Sequence, residues 1–101
     1  ADRDVAPAEI VLFSTLEPCL MCYGAVILSG IKTIVYAFED VMGGGTGCDL
    51  TQLSPLYRNA DISIIPHVRR ADSVQLLKAF FANPENVYLK DSLLAHYTLK
   101  Q

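Results

Sequence analysis

The apolar positions fall into three short runs separated by stretches of longer period. Residues 10–15 (IVLFST) form a nearly continuous, β-branched-rich run, the composition of a strand buried on both faces. Residues 18–29 alternate apolar and small side chains at helical spacing, and Gly30 stands where a helix is expected to stop. Residues 32–38 (KTIVYAF) read as a second buried strand and residues 61–66 (DISIIP) as a third. Strand, helix and strand in that order form a parallel βαβ crossover, so the fold class is α/β. Residues 71–82 are amphipathic, with Val74, Leu77, Phe80 and Phe81 inward and Asp72, Gln75 and Lys78 outward. Asn83-Pro84 ends that helix, and Asp91 is placed to cap a last one running to Leu99. The pattern breaks twice. Residues 1–9 are polar and proline-broken, and residues 39–57 read as a loop with a short helical turn over 50–56.

The chemistry concentrates in Glu17-Pro18-Cys19-Leu20-Met21-Cys22, between the first strand and the first helix. Pro18 suits the first helical position, where its missing N–H costs nothing. Cys19 and Cys22 are then three apart on one helix face, so their sulfurs can converge on a single ion. Unpaired N–H groups and the positive end of the helix dipole favour the thiolate, the form that binds metal. The pair reads as half of a zinc site at the carboxyl end of a strand, where open α/β sheets place their ligands. A redox pair is the other functional option for C-x-x-C, but the aromatic-Cys-Gly-Pro character of thioredoxin-like sites is missing.

The run Thr15-Leu16-Glu17-Pro18-Cys19-Leu20-Met21-Cys22-Tyr23-Gly24-Ala25 resembles the zinc-binding segment of the cytidine and deoxycytidylate deaminase superfamily, whose signature is an H-x-E box followed by P-C-x-x-C. Ser29-Gly30-Ile31-Lys32 and Ala79-Phe80-Phe81 are most similar to segments of tRNA adenosine deaminases, with guanine and cytosine deaminases as close relatives. The likeness runs from Ile10 to Pro84. It implies a three-layer α/β/α domain, Zn²⁺ held by Cys19 and Cys22, and hydrolytic removal of an amino group from a nucleobase, nucleoside or tRNA base. Adenosine in tRNA is the leading substrate, and a homodimer is the expected assembly. In that chemistry a zinc-activated water attacks the amino-bearing carbon while a glutamate moves its proton to the departing nitrogen.

The other half of the signature is not in this sequence. Neither His67-Val68-Arg69 nor His96-Tyr97-Thr98 begins H-x-E, and no His or Cys precedes Ile10. The expectation is that residues 1–101 are a single incomplete deaminase-like domain, its C-terminal portion, with the other half upstream or on a separate chain. A metal ligand and the general acid/base are then both missing, so these residues alone are expected to be inactive. The competing reading is a non-catalytic module that lends half a zinc site and an interaction surface to another chain. A structural zinc domain would need four protein ligands, and four do not present themselves.

Composition narrows the setting. The chain is 51% hydrophobic with a mean hydropathy of +0.30, yet no run approaches the roughly 18 apolar residues of a membrane span. Three cysteines, two of them in a metal-like pair, point away from a disulfide framework and towards a reducing cytoplasm. A net charge of −3 counts against an unaided nucleic-acid binder and favours a free base or nucleoside. Arg69-Arg70 reads as a solvated loop or helix start more than as a phosphate contact.

The remaining candidates are weighed singly. No catalytic residue is assigned in this chain. Glu17 and Asp40 are the candidate substrate-binding residues; Glu17 also suits the helix N-terminus, and a proton-shuttle role for it is the minority reading. Cys48 is expected to be a free thiol, His67 a loop residue, and His96 a surface or packed histidine. The glycines at 43, 44, 45 and 47 lack the Lys-Ser/Thr of a phosphate loop and read as a flexible connection bordering the site. Tyr23, Phe80 and Phe81 serve either the core or base stacking, with the core favoured.

Overall fold

A computed structural model describes residues 5–101. Three parallel strands, β1 (Val11–Leu16), β2 (Thr33–Phe38) and β3 (Ser63–Ile65), lie in the order β1-β2-β3. The register runs from Val11↔Thr33 to Leu16↔Phe38 between β1 and β2, and from Thr33↔Ser63 to Val35↔Ile65 between β2 and β3. Helix α1 (Leu20–Ser29) joins β1 to β2, which gives the expected parallel crossover. The loop after β2 holds a 3-10 turn at Leu50–Gln52 and the short α2 (Pro55–Arg58), matching the helical turn expected near 50–56. Helices α3 (Arg70–Ala82) and α4 (Leu93–Leu99) complete the chain.

The central strand carries the core. Ile34 and Phe38 are fully buried, and Val35, Tyr36 and Ala37 nearly so. Tyr23 and Val26 of α1 pack on Ile34, while Val74 of α3 and Leu94 of α4 pack on Phe38. Each end of β2 therefore anchors its own cluster. On α3, Val74 is buried and Asp72 and Gln75 are exposed, as the periodicity requires. Leu76 nevertheless stands 67% exposed.

Three expectations need correction. The first strand is not buried on both faces: it forms an edge of the sheet, and Val11, Phe13 and Thr15 are exposed in alternation. Its apolar composition exceeds what its neighbours among the described residues cover. The first helix begins at Leu20, not at Pro18, because the loop after β2 bonds the Pro18 carbonyl and bridges Cys19, which is extended. The cap of α4 is Ser92, whose hydroxyl accepts from the Ala95 N–H, whereas Asp91 sits at φ 62° outside the helix. Of the polar stretch before β1, residues 1–4 lie outside the described residues, and Pro7–Glu9 form a 3-10 turn. Gly30 ends α1 as expected, at φ 84°, where a side chain would also press on Pro7 at 3.3 Å.

Candidate metal centre

Parallel pairing brings the carboxyl ends of β1 and β2 side by side, and both candidate segments leave the sheet there. Beyond Leu16 the ladder continues for one more bond, from the Glu17 N–H to the Phe38 carbonyl at 2.8 Å. The glycine loop after β2 then folds back over the turn. The Gly45 N–H donates to the Pro18 carbonyl at 2.8 Å, and Gly44 forms an antiparallel bridge with Cys19. Cys19 is thereby fixed at φ −71°, ψ 171° as the N-cap of α1, and its carbonyl accepts the first helical bond, from the Tyr23 N–H at 2.8 Å.

An N-cap side chain faces the residue three positions on, the geometry of a capping box, and here that residue is Cys22. The Cys19 thiol lies below its ordinary pKa, first because the Cys22 backbone N–H faces it, then because the Cys22 thiol donates to it. Cys22 is raised, by that same hydrogen bond and then by the charge on Cys19. None of the N–H contacts to Cys19 is tight enough to count as a capping hydrogen bond, so the helix terminus acts on the sulfur as a field. Both cysteines line one cleft.

This donor set fits zinc as far as it goes: two sulfurs, one thiolate-prone, at a positive helix terminus. No group of three or more His, Cys, Asp or Glu among the described residues is placed to hold a metal ion. Cys19 and Cys22 are both free thiols. They open on a cleft of about 360 Å³ lined by Leu12 and Leu16 of β1 and by Glu17 and Asp40.

Both acidic candidates face inward to the loop. The Glu17 carboxylate accepts from the Asp40 N–H at 3.1 Å, from the Thr46 N–H at 3.2 Å and from the Thr46 hydroxyl. Asp40 closes its own turn, accepting from the N–H groups of Met42 and Gly43 at 3.0 and 2.9 Å. Two of the glycines, Gly44 and Gly45, are required by close approach. A Cβ on Gly44 would lie 2.5 Å from the Glu17 carboxylate, and one on Gly45 2.5 Å from the backbone of Leu20.

The other candidates lie elsewhere. Cys48 is a free thiol in a separate apolar pocket, with Leu20 and Tyr23. His96 is exposed on α4, and His67 reaches Glu39 at 3.4 Å. No local pattern in the sequence marks Glu39. Arg70 grips both its oxygens at 2.8 Å, and the Tyr97 hydroxyl donates to it, which ties α3 and α4 to the end of β2. The Arg70 guanidinium foremost, with Tyr97 adding to it against the opposing cost of burial, holds the Glu39 carboxyl down at about 2. Arg70 also covers the Phe38 ring at 5.1 Å, so this arginine is a structural clamp while Arg69 pairs with Asp72 on the surface.

Comparison with known sequences now decides the family. A sequence model of the MafB19-like deaminases matches residues 3–84. The chain belongs to that deaminase family. Its similarity extends to tRNA-specific adenosine deaminases. The protein of that name from Bacillus subtilis (strain 168) is 36% identical over 70 residues, which cover 69% of this chain and 44% of the relative. The one from Haemophilus influenzae is 33% identical over 70 residues, covering 69% and 40%. tRNA-specific adenosine deaminase 2 of Danio rerio is 29% identical over 92 residues, covering 84% and 43%. The chain spans less than half the length of each of these relatives.

Proposed function

We propose that this chain supplies the P-C-x-x-C half of a zinc-dependent hydrolytic deaminase acting on a nucleobase or nucleoside, with adenosine in tRNA the leading substrate. The observation that carries the reading is the placement of Cys19 and Cys22 on one open cleft at the start of α1, at the carboxyl end of β1. Bound there, zinc supplies the Lewis acidity that makes water nucleophilic at neutral pH. The chain's own residues hold the ion through Cys19 and Cys22, and the cleft bounded by Glu17 and Asp40 receives the base. The third ligand and the proton-moving glutamate come from the H-x-E box, on the same polypeptide or another.

In this reading residues 1–101 are one incomplete deaminase-like domain of a three-layer α/β/α fold, working in a reducing cytoplasm. The names of the relatives support a tRNA substrate, and the net charge of −3 means that much of the basic surface must come from outside these residues. Guanine and cytosine or cytidine are the alternative substrates. No helix among the described residues is long and apolar enough to cross a membrane. Helix α1 carries no charged residue and leaves Leu20, Met21 and Leu28 at least 60% exposed, a face suited to burial against a second copy in a homodimer.

One observation favours a second reading. With only two donors brought together among the described residues, the chain also fits a non-catalytic module that lends half a zinc site and an interaction surface to a partner. The two readings part on ammonia release. The assay uses the zinc-loaded protein with its H-x-E box present, in one chain or two, on adenosine-34 tRNA, guanine, cytosine and cytidine. Release that is abolished by Cys19→Ser or Cys22→Ser supports the enzyme. Unchanged zinc content in both variants would sink it.

A further inference from the structure

We infer that Glu17 is a positioning residue for the metal pair, a buckle that sets the bite of Cys19 and Cys22, rather than a proton shuttle or a substrate ligand. The inference rests on the zinc reading above and concerns this chain's own residues. An ionised carboxylate offers about four lone-pair sites. Three hydrogen bonds from the glycine loop already fill most of them: Asp40 N–H on one oxygen, Thr46 N–H and hydroxyl on the other. Gly44 lies directly on the same carboxylate, so close that a methyl group would not fit between them. Little of this acid is left for substrate or for a proton in transit.

What the buckle holds is the helix start. With the loop pinned at both ends by Glu17, Gly45 lies on Leu20 and donates to the Pro18 carbonyl, and Gly44 bridges Cys19. Those contacts keep Cys19 extended, which moves the first helical residue from Pro18 to Leu20. Without them nothing ties the Pro18-Cys19 segment to the loop, and the Cys19 sulfur loses its fixed place at the cap of α1. The carboxylate thus acts on the metal pair through the loop, without touching either sulfur. Groups that orient metal ligands in this indirect way typically change metal affinity about 10–100-fold when removed.

The test titrates Co²⁺ into the metal-free protein with its H-x-E box present, in one chain or two, and into its variants, reading the thiolate-to-cobalt absorbance, and follows amide hydrogen exchange of Asp40 and Thr46 without metal. Glu17→Ala is expected to weaken Co²⁺ about 10-fold or more and to speed exchange at both amides. Glu17→Gln keeps one acceptor oxygen and is expected to recover part of the affinity. Thr46→Val removes only the hydroxyl contact, tests the same buckle in a chain whose carboxylate is intact, and is expected to give a smaller loss. Wild-type Co²⁺ affinity in both Glu17→Ala and Thr46→Val would overturn the positioning role while leaving the zinc reading in place. A wild type with no thiolate-to-cobalt band would overturn the zinc reading itself.

Discussion

Single side chains at the carboxyl end of the sheet divide into those that open on the cleft and those that brace it. Glu39 is the clearest brace, and its environment makes a pH prediction. Its carboxyl is held at about 2 in the folded chain against an ordinary 4.5, because Arg70 and Tyr97 bind the charged form. A depressed folded pKa means stability that is fully present above 4.5 and is lost as pH falls towards 2. The contribution is on the order of 2 kcal/mol after allowing for partial exposure. Urea midpoints measured from pH 7 to pH 2 should therefore fall across that window in the wild type. Glu39→Gln should start lower at pH 7 and vary less below pH 4.5; an unchanged profile would show that the clamp contributes nothing. Neither Glu39 nor Thr46 was legible in the sequence. Their partners lie 31 residues away at Arg70 and 29 away at Glu17: parallel pairing of β1 with β2 brings Thr46 to Glu17, and packing of α3 against β2 brings Arg70 to Glu39.

Among the elements, the two glycines that flank the start of α1 make opposite predictions. Gly24 lies inside the helix, and a Cβ there would meet nothing within 4 Å. Gly24→Ala should therefore raise stability by about 0.5–1 kcal/mol through helix propensity alone. Gly45 is buried, and its added methyl would strike the Leu20 backbone, which cannot swing aside as a side chain could. Gly45→Ala should destabilise by more than 1 kcal/mol and loosen the thiol pair, seen as a lower urea midpoint together with weaker Co²⁺ binding. Equal and small effects of both changes would show that the loop does not rest on the helix. Elements of this kind were legible where the pattern was local. The βαβ order, Gly30 and the cysteine pair all depend on residues within a few positions of one another. The helix start was misread because Pro18 obeys its local preference only if nothing else holds it, and the glycine loop holds it. The cap of α4 was misread by one residue, since Asp91 and Ser92 are both good capping types and only the backbone distinguishes them.

At the scale of the molecule, the described residues do not cover their own apolar surface. Phe13 is 72% exposed on an edge strand whose outer row of N–H and C=O groups faces no other strand among the described residues. On the far side of the turn, α1 exposes Met21 at 79% without a charge in its sequence to keep it soluble. Bare hydrophobic edges of this kind pair with whatever strand is available, and natural proteins blunt them with lysine. The purified 101-residue chain should accordingly sediment as oligomers or aggregates and release no ammonia. Val11→Lys, placed on the exposed side of β1, should raise the monomer fraction in analytical ultracentrifugation while leaving Co²⁺ affinity within about 2-fold, because residue 11 lies at the opposite end of the strand from the cysteines. A matched change on α1, Met21→Lys, separates the two surfaces. If it alone restores monomers, the helix face drives association and the sheet edge is incidental. A wild-type chain that sediments as a monomer and unfolds in one cooperative step would mean that three strands suffice to bury this core, and would overturn the proposal of an incomplete domain.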